Sequence, residues 1–141
     1  MRLAHGIHLA YCTNVHRGGS WPETFSSIEN DVMRVRREVA PDEPYAIGLR
    51  LGADAARELA DGRNLVNFRR WLDENEAYVF TINGFPYGEF HGARVKEQVY
   101  RPDWSSPDRL AYTNLLFELL AELSDHGAEA SVSTLPGSFK E

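Results

Sequence analysis

The sequence has a single cysteine, Cys12. One thiol cannot close an intramolecular disulfide, so no disulfide framework holds this fold and nothing asks for an oxidising compartment. No run approaches the ~18 apolar residues of a membrane-spanning helix. Residues Met1 to Gly6 lack the apolar stretch of a secretory signal. By elimination, the expectation is a cytoplasmic protein without membrane insertion. Basic clusters are few: Arg34-Val35-Arg36-Arg37 and Arg69-Arg70, both in helical stretches and read as solvated helix faces. The formal net charge of −6 repels a phosphate backbone, so nucleic acid is not the expected partner. Catalytic and metal signatures are missing too. There is no H-E-x-x-H, no cysteine pair and no G-x-S-x-G elbow.

What is present is apolar enough for a core: 43% hydrophobic and 11% aromatic residues in 141 make disorder the wrong expectation and one modest domain the right one. Strand-like and helix-like segments alternate. Ile7 to Cys12 is the first strand, and Asn14 to Gly19 a polar loop. Ser20, Pro22 and Glu23 then open a helix with capping-box spacing, and Phe25, Ile28, Val32, Val35 and Val39 form its apolar stripe up to Pro41. Tyr45 to Leu51 alternates large residues (Tyr45, Ile47, Leu49, Leu51) with small or polar ones (Ala46, Gly48, Arg50), the pattern of a second strand. Helix follows from about Ala53 to Asn75, broken at Gly62, with Leu65, Phe68, Trp71 and Leu72 on its second piece. Tyr78 to Asn83 is the third strand. The long segment Gly84 to Ser105 has the length of a functional loop. Ser106-Pro107 starts a helix carrying Leu110, Leu116, Leu119, Leu120 and Leu123, with Gly127 as its C-cap, and Ala130 to Thr134 is the fourth strand.

The order β-α-β-α-β-α-β predicts a parallel sheet with right-handed crossovers. A doubly wound dinucleotide fold would carry G-x-G-x-x-G after the first strand, and Arg17-Gly18-Gly19-Ser20 lacks it. The fold class is therefore α/β, with parallel (β/α) units forming the N-terminal half of a (β/α)8 TIM barrel. A complete barrel needs about 250 residues, so the whole chain reads as one partial domain.

Chemistry in such barrels collects at the C-terminal ends of the strands. The polar residues falling there are Asn14 and His16 after the first strand, Arg50 on the second, and Asn83 and Tyr87 after the third. The long loop adds His91, Lys96 and Arg101, and the fourth strand end adds Thr134 and Lys140. All ten are candidate substrate-binding residues. Arg50 suits an anion clamp or a carboxylate pair, and Asn83 before Gly84 suits a turn as well as a ligand. Cys12 reads as a small buried packing residue. Trp21, Trp71 and Trp104 read as packing anchors, with Trp104 lining a pocket.

Several segments resemble the EboE family of metabolite traffic proteins. They are His8 to His16, Gly48-Leu49-Arg50-Leu51, Phe80 to Gly88 with Phe90-His91-Gly92, Val95 to Trp104, and Ser133 to Lys140. The resemblance spans nearly the whole chain. It implies a xylose-isomerase-like TIM barrel related to sugar phosphate isomerases and epimerases, associated with a bacterial gene cluster that moves or processes a metabolite precursor. It also implies a longer chain than this one, and a divalent metal held by Glu, Asp and His on later strands, outside this segment. Three functions are expected from it. The first is half of a metal-dependent isomerase or epimerase, inactive alone. The second is a small-molecule binding protein without turnover. The third, disfavoured by the acidic charge, is a DNA-repair nuclease of the endonuclease IV kind. Open sheet edges add an expectation of self-association.

Overall fold

The chain is described by a computed structural model over residues 1–88, 98–124 and 129–137. His91, Lys96, Gly127 and Lys140 lie outside the described residues.

Ser20 caps the first helix as its spacing requires. Its Oγ accepts from the Glu23 amide at 3.4 Å, and the Glu23 carboxylate accepts from the Ser20 amide at 3.4 Å. The helix runs as α1 (Trp21–Ser27), a π-helical turn (Ile28–Val32) and α2 (Met33–Val39). The π turn departs from the expected stripe. Its extra residue rotates the rest of the helix, so the buried face continues through Val32, Arg36 and Ala40, while Val39 is 59% exposed.

The helical stretch after β2 (Tyr45–Arg50) divides into α3 (Ala53–Leu59) and α4 (Gly62–Glu74). Asp61 caps α4, accepting from the Arg63 amide at 3.0 Å. The remaining elements are β1 (Ala10–Cys12), β3 (Ala77–Asn83), α5 (Pro107–Leu123) and β4 (Ser131–Ser133). β1 is shorter than expected, because Ile7 to Leu9 pairs with the chain's own start. The Leu3 amide donates to the Ile7 carbonyl at 2.7 Å, and the Leu9 amide to the Met1 carbonyl at 2.9 Å. Arg2 of this turn borders the same cleft as Pro44, Glu76 and Tyr78, at the N-terminal ends of β2 and β3.

The four strands form one parallel sheet in the order β1-β2-β3-β4. Right-handed crossovers that always step in one direction leave their helices on a single face. The packing agrees: α1 lies against α3 and α3 against α5, while α4 and α5 cover β3. The order never reverses, so these strands lack the switch point of a doubly wound sheet.

The core fills the space between sheet and helices. β2 contributes Tyr45, Ile47 and Leu49, Leu51 follows directly after it, β3 contributes Val79 and Ile82, and α5 contributes Leu116, Leu119 and Leu120. α1 and α4 meet through an aromatic group in which Trp21 and Phe68 stand edge to face at 4.8 Å. The opposite sheet face has no helix against it among the described residues. It carries Cys12, Ala46, Gly48, Arg50, Phe80, Thr81, Asn83, Ser131 and Ser133, of which the β2 residues Ala46, Gly48 and Arg50 are buried. Phe80 and Thr81 share that face because β3 bulges: Ile47 pairs with Val79 but Gly48 with Thr81, leaving Phe80 as the extra residue. Cys12, expected to be buried packing, is exposed instead. It sits on an edge strand and on this uncovered face, where no described layer closes over it. None of the described helices is long and apolar enough to cross a membrane.

Candidate functional site

The C-terminal ends of the strands are tied together by buried side chains bonding to loop carbonyls. Arg50, 4% exposed, is the centre of this arrangement. Its amide donates to the Thr13 hydroxyl at 2.8 Å. Its guanidinium donates to the carbonyls of Gly18 (3.1 Å) and Gly88 (3.0 Å). The residue expected to grip a ligand thus also braces the loops after β1 and β3. The loop after β3 has further anchors. Ala53 donates its amide to the Tyr87 carbonyl at 2.7 Å. The Tyr112 hydroxyl donates to the carbonyls of Leu51 and Pro86. Arg109, fully buried, donates to Pro102 at 2.8 Å, Gly84 at 3.1 Å and Phe85 at 3.3 Å.

Asn83 does make the turn its sequence context suggested. Its Oδ1 accepts from the Phe85 amide at 3.0 Å and from the Ser133 hydroxyl at 3.1 Å, joining the ends of β3 and β4. Gly84 is required behind it. A Cβ there would lie 2.2 Å from a Leu116 methyl and 3.2 Å from the Ser133 carbonyl. His16 stacks on Tyr11, accepts or donates at Nε2 to the Tyr11 hydroxyl at 2.9 Å, and places Nδ1 3.6 Å from the Asp31 carboxylate. The π turn puts Asp31 at that position.

Of the expected residues, Asn14, His16, Arg50, Asn83 and Tyr87 share this end of the sheet, while Arg101 and Thr134 are exposed. Trp104 is 42% exposed and donates its indole N–H to the Leu135 carbonyl at 2.8 Å. Sequence reasoning missed Thr13, Asp31, Arg109 and Tyr112. A lone arginine at a helix position otherwise in phase with Tyr112, Leu116 and Leu119 was the one signal available for Arg109.

A cleft of about 650 Å³ opens beside Arg50, between the loop after β1 and α1. Arg17, Gly18, Glu23, Ser26 and Ser27 form most of its wall. A second cleft, of about 440 Å³, lies at the opposite end of the sheet beside Pro44, Glu76 and Tyr78. The described residues contain no group of three or more His, Cys, Asp or Glu side chains placed to hold a metal ion. The groups that line the first cleft are guanidinium, hydroxyl and backbone donors with one carboxylate, a set suited to hydrogen bonding and charge pairing.

Burial pushes the Tyr112 hydroxyl far above the ordinary tyrosine value, against the opposing pull of Arg109 and Arg50. Folded Tyr112 thus keeps its proton when the unfolded residue begins to lose it near 10.0. The folded chain then binds more protons than the unfolded one, and stability declines as pH rises past that value. Tyr112→Phe is expected to remove up to about 1.4 kcal/mol per pH unit of that decline. Urea midpoints measured between about pH 9 and 11 give the slope. Equal slopes in the two proteins would show that Tyr112 does not carry it.

No family model matches this chain, and neither a curated protein nor a solved structure matches it.

Proposed function

We propose that this chain is the N-terminal half of an EboE-like (β/α)8 barrel that binds a small metabolite at the C-terminal ends of its strands. The observation that carries the reading is the unreversed parallel order β1-β2-β3-β4, with the long helices packed on one face and none of α1 to α5 on the other among the described residues. A barrel closes by continuing that order until the uncovered face becomes its interior. The polar rim of Asn14, His16, Arg50, Asn83 and Tyr87 supports ligand binding there, and the EboE-like segments run through the same loops. His91, Lys96, Arg101, Thr134 and Lys140 belong to the proposal through their positions in sequence. In the complete barrel the activity would be of the sugar isomerase or epimerase type, with the divalent metal on the later strands. Self-association through the open edges of β1 and β4 belongs to the same reading.

Amide NMR of the full chain tests it, with a panel of sugars, sugar phosphates and cyclitols. The expected result is shift perturbation at Thr13 to Gly18, Arg50 and Asn83 to Gly88. Perturbation confined to the opposite cleft, at Glu76 and Tyr78, would overturn it.

A further inference from the structure

We propose that the cleft at the N-terminal ends of β2 and β3 binds a small zwitterion, an α-amino acid with an apolar side chain. The site lies at the opposite end of the sheet from the polar rim, and the proposal stands independently of the reading above. The cleft holds about 440 Å³, within the range of small-molecule sites. Buried Leu72 and Ala77, with Pro44 and the half-buried Tyr78 ring, give it an apolar lining. Three charged side chains share that lining: Arg2, Asp73 and Glu76. Glu74, beside Asp73 in sequence, lies off it.

Several polar groups at this end are already paired. Glu76 ends α4 in the left-handed conformation, at φ 45°, where glycine is the usual residue. Its carboxylate lies 3.6 Å from the buried Arg36 guanidinium. Arg36 also donates to the carbonyls of Asn75 and Glu43, the latter at 3.3 Å. The Met1 ammonium donates to the Leu9 carbonyl at 2.8 Å and feels the Glu43 charge. His8 Nδ1 shares a hydrogen bond with the Tyr78 hydroxyl at 2.9 Å. Arg2 and Asp73 differ. Both are exposed, and neither side chain makes an ion pair or hydrogen bond among the described residues. They border one cleft with opposite charges and do not pair with each other. An α-amino acid carries the complementary two charges on a single carbon and meets both at once. Its carboxylate takes the Arg2 fork. Its ammonium takes Asp73, which stands in the last turn of α4, where the helix carbonyls favour a cation. Its side chain takes the apolar lining. A ligand with one charge would leave either Arg2 or Asp73 without a partner.

The test titrates the full chain with L-leucine and, separately, with isoamylamine and isocaproate, which keep the leucine side chain but carry one charge each. Amide shifts are followed at Arg2 and from Leu72 to Tyr78. Saturable shifts with leucine are expected, with each single-charge compound binding about tenfold more weakly or worse. Arg2→Gln is expected to weaken leucine about tenfold and to leave isoamylamine unchanged. Asp73→Asn is expected to weaken leucine as much and to leave isocaproate unchanged. Both residues are exposed, so neither change touches the core. Leucine shifts that are absent, scattered over the surface, or matched by either single-charge compound would overturn the proposal. So would variants that weaken all three compounds alike. Failure here with rim perturbation by sugars sinks this site alone. Leucine binding here with no metabolite at the rim keeps this site and sinks the strand-end reading.

Discussion

Arg109→Ala is expected to destabilise the fold by about 3–5 kcal/mol. Arg109 has no measurable exposure and makes no ion pair among the described residues. Instead it donates to three carbonyls, Pro102, Gly84 and Phe85. Its guanidinium also lies 5.7 Å from the Tyr87 ring centroid and 5.5 Å from that of Tyr112. Burial lowers its pKa, but an arginine stays protonated at neutral pH. Truncation removes the donors to three acceptors at once, costing roughly 1–3 kcal/mol for each group left unsatisfied in the interior, and leaves a cavity besides. The opposing effect is relief of a buried charge, which can offset much of such a loss when an apolar residue fills the space. Arg109→Met measures that offset: it restores volume but no donor, and is expected to recover only part of the loss. Urea unfolding with matched m-values gives both numbers. A cost below about 1 kcal/mol for the alanine variant would mean that desolvation cancels the hydrogen bonds.

Phe68→Ala is expected to cost about 3–5 kcal/mol by a different route. Phe68 is 1% exposed at the centre of the group that joins α1 to α4. Trp21 and Phe25 meet it edge to face at 4.8 and 5.9 Å, and Trp71 stacks on it at 6.1 Å. Removing the ring forfeits its transfer free energy and leaves three aromatic partners around a void that the rigid helices cannot close. Phe68→Leu keeps most of the volume and is expected to cost less than about 1.5 kcal/mol. Urea midpoints of the two variants give the comparison. Equal losses would show that edge-to-face geometry, rather than volume, is what the cluster needs.

The secondary structure was legible wherever the signal was local. The capping box at Ser20 and Glu23 formed as spaced, and the alternation from Tyr45 to Leu51 placed its large residues in the core. Trp21 and Trp71 were readable as anchors, because large aromatics in phase with an apolar stripe have one favourable place to go. The breaks came where periodicity is interrupted by a single residue. The π turn at Ile28–Val32 and the bulge at Phe80 each add one residue to an element. Neither leaves a composition signal, since any residue can be the extra one. The consequences are not small. The first turns Arg36 inward and brings Asp31 to His16, and the second puts Phe80 and Thr81 on one face.

At the candidate site, polar residues at strand ends were visible from sequence because topology alone sends them to one end of the sheet. Their partners were not. Arg50 reads as a ligand clamp alone until Gly18 and Gly88, 32 and 38 residues away in sequence, present their carbonyls to it. Cys12 reads as buried until it is known that β1 is an edge and that its outward face meets no described layer.

By itself the sequence determined the alternation of strands and helices, the parallel sheet that this alternation dictates, and the gathering of polar residues at one end. Those depend on periodicity, turn chemistry and the handedness of crossovers, which act over a few residues at a time. Only the tertiary structure decided which charges are committed and which face a cleft. A buried donor takes whichever acceptor the fold brings within about 3 Å, and that acceptor belongs to another part of the chain.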